Sequence, residues 1–252
     1  MIALFSDFGL EGPYTGQMKA VLASLAPAVP VIDLISDAPV HDPKSASYLL
    51  AAYSTGFPAG TIFLSVVDPG VGGPRRGLVV RMADCWFVGP DNGLVEHMIR
   101  QRAEDETGVW EILWKPEICS ASFHGRDIFS PVAARLAAGE ILNRGNDEEG
   151  FQSVDTDHIR YPAWPDDLAE IIYFDHFGNA MTGIRTNGLR NGQSLQVAGQ
   201  TLPFGETFTS VECGDMFCYG NANGLMEVAV NRGSARNWPG VELGSKVLIV
   251  QQ

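Results

Sequence analysis

The hydrophobic pattern of this chain changes period partway along, and that change limits the folds open to it. From residue 1 to about residue 142, short β-type runs alternate with helical ones. Ile2-Ala3-Leu4-Phe5 reads as a strand, and Tyr14, Met18, Val21, Leu22 and Leu25 then recur at helical spacing, which predicts one buried face. Val31-Ile32-Asp33-Leu34-Ile35 is a second strand, and Asp42 followed by Pro43 gives the cap and first turn of a helix running to Tyr53. Residues 61–67, 78–81 and 86–88 are further strands. A helix is expected from Gly93, and another opens at Ser130-Pro131 and stops at Gly139. Such alternation predicts an α/β domain with a largely parallel sheet. Residues 143–165 are polar, acidic and interrupted by Gly and Pro, which reads as a linker. Beyond it, residues 169–174, 194–198, 207–211, 225–230 and 246–250 are short β-runs separated by Asn-Gly and Gly-rich turns. The expected organisation is an α/β domain over 1–160 and a smaller all-β barrel or sandwich over 161–252.

Composition narrows the function classes. Of the 252 residues 45% are hydrophobic and 19% charged, a globular balance, and no apolar run approaches the ~20 residues that cross a bilayer. The opening MIALFSDFG lacks the basic region and cleavage site of a signal peptide, so a cytoplasmic location is expected and no membrane partner. Cys85, Cys119, Cys213 and Cys218 form no CxxC pair, which predicts reduced thiols. A formal charge of −13 repels phosphate backbones, and Arg75-Arg76 is the nearest approach to a basic cluster, so no nucleic acid is expected. His41, His97, His158 and His176 show neither HxxxH nor HxH spacing, and no metal is expected.

Several short segments carry chemistry. Ser6-Asp7-Phe8-Gly9 ends the first strand, where ligands of open α/β sheets bind, and Asp7 there can accept both hydroxyls of a ribose or simply cap the following helix. Val66-Val67-Asp68-Pro69-Gly70-Val71-Gly72-Gly73-Pro74-Arg75-Arg76 places an acid and an arginine on either side of a glycine-rich loop that matches neither GxxxxGK[ST] nor GxGxxG. Asp68 and Arg75 either orient a small polar molecule or form an ion pair that staples the turn. Ser122-Phe123-His124-Gly125-Arg126-Asp127 puts His124 in a loop just before a helix, as a catalytic group or an ordinary loop histidine. Gly89-Pro90-Asp91-Asn92-Gly93 is a turn that caps the helix after it. Phe174-Asp175-His176-Phe177-Gly178-Asn179 combines aromatic rings able to stack on a base with an amide that can pair with adenine's N6/N7 edge and a carboxylate that can meet an ammonium group; it also reads as a plain Gly-Asn turn. Asn221-Ala222-Asn223-Gly224 is a hairpin turn first and a ligand loop second.

Taken in order, SDFG, VVDPGVGG, GPDNGL, FHGRDIF, FDHFGN and GLMEVAVN span nearly the whole chain, and together they resemble the adenosine-forming S-adenosyl-L-methionine hydrolases, relatives of the fluorinase and chlorinase enzymes. The resemblance implies an N-terminal α/β domain, a C-terminal β-barrel and a homotrimer with active sites between neighbouring subunits. It implies that Asp68, Arg75 and His124 hold the attacking water, that Asp7 takes the ribose hydroxyls, and that Asp175 meets the amino group of the methionine moiety. Asn179 and backbone near Asn231 would meet the adenine, with Phe177 beside them. The methionine carboxylate is left unassigned, because Asn221-Ala222-Asn223 departs from the pattern there.

The implied reaction is displacement at the ribose 5′ carbon, with S-adenosyl-L-methionine as substrate and no cofactor. The sulfonium leaves as a neutral thioether and needs no acid, so the nucleophile is what needs help. An arginine beside Asp68 makes that carboxylate a poorer base, which favours joint orientation of a water by all three side chains. Two alternatives stand beside this reading: halogenation at the same carbon, and a non-catalytic module that binds adenosine or S-adenosyl-L-methionine.

Overall fold

The computed structural model describes residues 1–102, 107–142, 150–189 and 192–251. The chain divides into two compact units, Met1–Pro162 and Ala163–Gln252.

In the first unit, β1 (Ile2–Ser6), β2 (Val31–Ile35), β3 (Thr61–Val66), β4 (Gly77–Arg81), β5 (Cys85–Pro90), β6 (Gly108–Ile112) and β7 (Phe151–Ser153) form one sheet in the order β2-β1-β3-β5-β4-β6-β7. The first four in that order pair in parallel, and the last three extend the sheet in antiparallel fashion. The fold is therefore mixed α/β. Every residue of β1 and β3 is buried, as expected of parallel strands covered on both faces. Two helix pairs pack together: α1 (Tyr14–Leu25) with α4 (Ser130–Ala137), and α2 (Pro43–Tyr53) with α3 (Glu96–Gln101). Met18 and Leu22 of α1 join Ile2, Leu64, Val88 and Val132 in the core. The cap of α2 is the one its sequence announces, since the Ser45 N–H donates to the Asp42 carboxylate at 3.1 Å with Pro43 in the first turn.

Two expectations change here. The five-residue face of α1 is only half used, because Met18 and Leu22 are buried while Tyr14 and Leu25 are each 49% exposed. Tyr14 instead turns toward two other rings, with centroids 5.5 Å from Phe8 and 5.4 Å from Phe123. The segment read as a linker is partly structured: 143–149 lie outside the described residues, but β7 pairs with β6 and buries Phe151 in the first unit's core. One aromatic anchor outweighs the polar composition around it.

The second unit contains two antiparallel sheets. β8 (Leu168–Phe174), β9 (Ala180–Arg185), β12 (Met216–Gly220) and β13 (Leu225–Val230) run in the order β12-β13-β9-β8, while β10 (Gln193–Val197), β11 (Gln200–Thr201) and β14 (Val247–Gln251) run β11-β10-β14. Residues 207–211 are not a strand. Thr207 and Ser210 close a reciprocal capping box around a 3-10 turn, Phe208–Ser210, a local bonding scheme that competes with strand pairing.

Glu96 fastens the end of the first unit to its body. Its side chain is fully buried, accepts from Arg100 Nε at 2.7 Å and Arg160 Nε at 3.0 Å, and also takes the Tyr161 N–H at 3.0 Å. Burial works against its ionisation, but Arg160, the Tyr161 amide and Arg100 outweigh that and hold its carboxyl below the usual range. Glu96→Ala leaves two partly buried guanidinium groups without their carboxylate, so urea denaturation at neutral pH should show a loss of about 3–5 kcal/mol. A loss of about 1 kcal/mol or less would mean that the cluster behaves as surface ion pairs do.

Candidate active site

Three loops of the first unit meet at a cavity of about 280 Å3, lined among others by Asp7, Tyr14, Asp68, Phe123 and His124. Each loop follows from local chain grammar. Asp7 comes directly after β1, Asp68 two residues after β3, and His124 immediately before a single π-turn, Gly125–Phe129, that runs into α4. Loops at the carboxyl ends of parallel strands converge, and π-turns recur at functional sites.

The glycine-rich loop folds back on itself, with Val71 N–H donating to the Asp68 carbonyl at 3.2 Å and Gly73 N–H to the Gly70 carbonyl at 3.0 Å. That returns Arg75 to Asp68. Arg75 Nε lies 3.0 Å from each Asp68 carboxylate oxygen, and its Nη2 donates to Oδ2 as well. The same Nη2 lies 2.9 Å from His124 Nδ1. Arg75 also stacks over Phe129 at 5.2 Å. Exposure is 4% for the Asp68 side chain and 12% for Arg75, so the pair is largely withdrawn from water.

This contact fixes the state of the imidazole. An arginine has only N–H donors, so His124 Nδ1 must accept, and the ring is neutral with its proton on Nε2. Burial and the Arg75 charge, with Lys115 adding to them, hold the His124 pKa below its ordinary value against the pull of Asp68.

Neighbouring residues brace the arrangement. Gly72 stands at φ +77, and a Cβ built there would lie 2.4 Å from the Ala121 carbonyl oxygen, so the loop presses directly on the segment leading to His124. The turn at 89–93 does not cap α3, whose N-cap is Val95 with no side-chain bond; instead Asn92 Nδ2 donates to the Val67 carbonyl at 2.8 Å, and Arg76 Nε meets the Asp91 carboxylate at 2.7 Å. Asp127 accepts the Ser120 N–H at 2.8 Å and pairs with Arg126.

Asp7 does not cap α1, whose N-cap is Pro13 with no side-chain bond. Its carboxylate takes the N–H of His41, a residue at φ +57, at 3.0 Å. Tyr14, Phe8 and Phe123 form an aromatic wall that the motif reading passed over, although SDFG and SFHG display two of the three rings.

In the second unit Asp175 and Asn179 are direct partners. The Asn179 N–H donates to Asp175 Oδ1 at 2.8 Å, and its Nδ2 to Oδ2 at 2.9 Å. Phe177 on the same turn is 73% exposed. Asn231 sits apart from them in hydrogen bonding: its Nδ2 donates to the Val211 carbonyl at 2.8 Å, and its carbonyl accepts Gly214 N–H at 2.8 Å. Asn221 is consumed by its hairpin, accepting from Asn223 and Leu225 N–H at 3.0 Å each. All four cysteines are unpaired, and burial pushes the Cys85 thiol up to about 12. Among the described residues no group of three or more His, Cys, Asp or Glu side chains is placed to hold a metal ion, and no helix is long and apolar enough to cross a membrane.

Residues 2–145 match the family model for the SAM hydroxide adenosyltransferase N-terminal domain, and residues 169–248 match that for the C-terminal domain. A protein of Thermus thermophilus named (R)-S-adenosyl-L-methionine hydrolase is 36% identical over 259 residues, covering 99% of each chain. A crystal structure of an uncharacterized conserved protein from Thermotoga maritima superposes with a TM-score of 0.81 at 29% identity over 100% of both chains. More distant is a fluorinase of Nocardia brasiliensis, 24% identical over 93% of this chain and 91% of its own.

The close approach at Gly72 yields a test. Gly72→Ala strains a left-handed residue and drives a methyl into the Ala121 carbonyl, so it should lower stability by about 1–3 kcal/mol. The change should also disturb His124, whose ring signals in an NMR titration should move to a higher pKa as Arg75 loses its register. Unchanged stability and an unchanged His124 titration would show that the two loops are not mechanically coupled.

Proposed function

The chain belongs to the SAM hydroxide adenosyltransferase family, and on that premise we propose that it hydrolyses S-adenosyl-L-methionine to adenosine and L-methionine. The observation that carries the mechanism is the Arg75 bridge, one guanidinium bonded to both Asp68 and His124, two side chains that line the same cavity as Asp7. Water attacks the ribose 5′ carbon in line with the departing sulfur. The new bond is O–C5′, the C5′–S pair returns to sulfur as a neutral thioether, and one proton is released. No acid, metal or redox cofactor has a task in that step.

Asp68 accepts a hydrogen bond from the water, while His124 Nε2–H and the Arg75 charge favour the developing hydroxide. The triad orients and polarises rather than supplying one strong base, since Asp68 is already tied to Arg75 by three contacts. In our reading Asp7 takes the ribose hydroxyls and Asp175 the methionine ammonium, while Asn179, Phe177 and backbone near Asn231 serve the adenine. The Thermus relative is named for the (R) sulfonium, and we extend that epimer to this chain. A halide would meet the Asp68 carboxylate at the nucleophile's place, which disfavours halogenation electrostatically.

The same reading gives a homotrimer with active sites between neighbouring subunits, and the exposed Phe177 ring supports a role at such a shared site. It gives a cytoplasmic protein with no nucleic-acid or membrane partner. Domains over 1–160 and 161–252 are part of it, the second a closed barrel. Bridges Glu170↔Lys246 and Phe204↔Cys218, outside the named pairings, support that closure.

Variants of the triad test the mechanism. Asp68→Asn, Arg75→Ala and His124→Ala should each lower saturated turnover by about 10²–10⁴-fold. Calorimetry should find substrate affinity nearly unchanged, and any double variant should be little worse than the worse single one. Turnover should fall on acidification below the ordinary histidine value of about 6.5, because protonation takes the Nδ1 lone pair from Arg75. The sign is the same for stability: a depressed folded pKa gives stabilisation that is complete above the unfolded value and lost as pH falls through the folded one. Wild-type turnover in His124→Ala would overturn the triad.

A further inference from the structure

A second cavity, about 350 Å3, backs onto the triad. Its lining includes Arg75, Glu111, Leu113, Lys115 and Phe129, and among the described residues His124 alone lines both this cavity and the front one that holds Asp7 and Asp68. The glycine-rich loop passes from one cavity to the other: Asp68 and Val71 line the front, and the run from Gly73 to Gly77 lines the rear. The wall between them at the triad is one hydrogen-bonded layer. Asp68 stands on its front side and Arg75 on its rear side, with Arg75 Nε 3.0 Å from the carboxylate and Nη2 2.9 Å from His124 Nδ1.

Hydrolysis consumes one water in every turnover, and in-line attack requires that water on the side of C5′ away from sulfur. Held against Asp68 and His124, it has the substrate between itself and the front opening. The front cavity, about 280 Å3, is at the small end of the ~300–1,000 Å3 usual for ligand pockets, so bound substrate leaves little room for water to pass around it. The rear cavity carries no such obstruction. Leu113 is 51% exposed and Lys115 is exposed, so its rim meets solvent. Arg75, Glu111 and Lys115 give water its hydrogen-bond partners there, and the volume accommodates several molecules. Phe129, fully buried, supplies an apolar wall beside them.

We propose that the rear cavity is the supply route of the nucleophilic water, which reaches the triad past His124 while substrate fills the front cavity. The proposal rests on the hydrolase reading. It changes the order of events at the site. With a front opening alone, water has to be in place before substrate and stays trapped behind it. With a rear route, the water exchanges with solvent while substrate is bound, and the Arg75 N–H groups that line the route hand it on to Asp68 and His124.

The test is a single turnover in which the solvent isotope is switched after substrate has bound. The full chain, in excess over S-adenosyl-L-methionine, is mixed in ordinary water and diluted at once into oxygen-18 water, and the 5′ hydroxyl of the adenosine is read by mass spectrometry. The wild-type product should carry the enrichment of the final solvent. Leu113→Trp sets an indole across the rim at an exposed position; it should lower that label, saturated turnover or both by about threefold or more, with KM within about twofold of wild type. Leu113→Ala, which widens the rim, should match wild type in all three. Unlabelled adenosine from the wild-type protein overturns the proposal, because the water was then sealed in by substrate. Wild-type label and turnover in Leu113→Trp overturn it as well. Where circular dichroism shows Leu113→Trp unfolded, Lys115→Trp takes its place, and the same two readouts decide. A wild-type protein that forms no adenosine overturns the hydrolase reading itself.

Discussion

The Arg75 guanidinium is shared between an aspartate and a histidine that come from different loops, and the chemistry proposed for this chain depends on that sharing. Arg75 reaches Asp68 through Nε and Nη2 and His124 through Nη2 alone, at 2.9 Å. Because arginine stays charged at any relevant pH, it sets both partners at once: a carboxylate and a neutral imidazole with its proton on the far nitrogen. A lysine could not do the same, since a single ammonium has no planar fork to span two acceptors. Removing one member of so buried a pair strands the other, at about 3–5 kcal/mol, so the arrangement needs the fold's support. Gly72 against Ala121, Asn92 on the Val67 carbonyl and Asp127 on the Ser120 N–H supply it.

The roles proposed for the loops of each unit follow from its architecture. Parallel strands deliver loop ends to one side of a sheet, which is where Asp7 and Asp68 emerge. Antiparallel hairpins deliver tight turns with fully bonded backbones, and Asp175 and Asn179 close such a turn with two side-chain bonds. The first kind of loop can assemble a polarised water from distant residues. The second can present one rigid hydrogen-bonding edge, which suits recognition of a base.

Much of this was legible in the sequence because local rules and tertiary structure agree. The Asp42-Pro43 start, the stop at Gly139 and the runs that became β1, β2 and β13 are local signals with local causes. The failures have causes as well. β9 carries Gly183 mid-strand, where a Cβ would lie 2.6 Å from Leu168 Cβ; close backbone approach requires the glycine that makes the run look unlike a strand. Thr207 and Ser210 turned a β-type run into a 3-10 turn through their own hydroxyls. Tyr14 fits the apolar face of α1 by spacing yet points into an aromatic cluster. At the site, Asp68 and Arg75 share one loop and could be paired on paper, but the link to His124 crosses 49 residues and exists only in the fold. Glu227 left no sequence signal beyond a charge in an apolar run, because its partners Tyr219 and Asn221 are brought to it by strand pairing and a neighbouring turn.

In the proposed reaction water, and not a halide, attacks the ribose 5′ carbon. Isotope placement tests it most directly: purified full-length chain is incubated with S-adenosyl-L-methionine in oxygen-18 water, with and without chloride, and the products are read by mass spectrometry. The expected products are adenosine labelled at its 5′ hydroxyl and unlabelled methionine, with no dependence on chloride. A 5′-chloro-5′-deoxyadenosine product, or adenosine that carries no label, would contradict it.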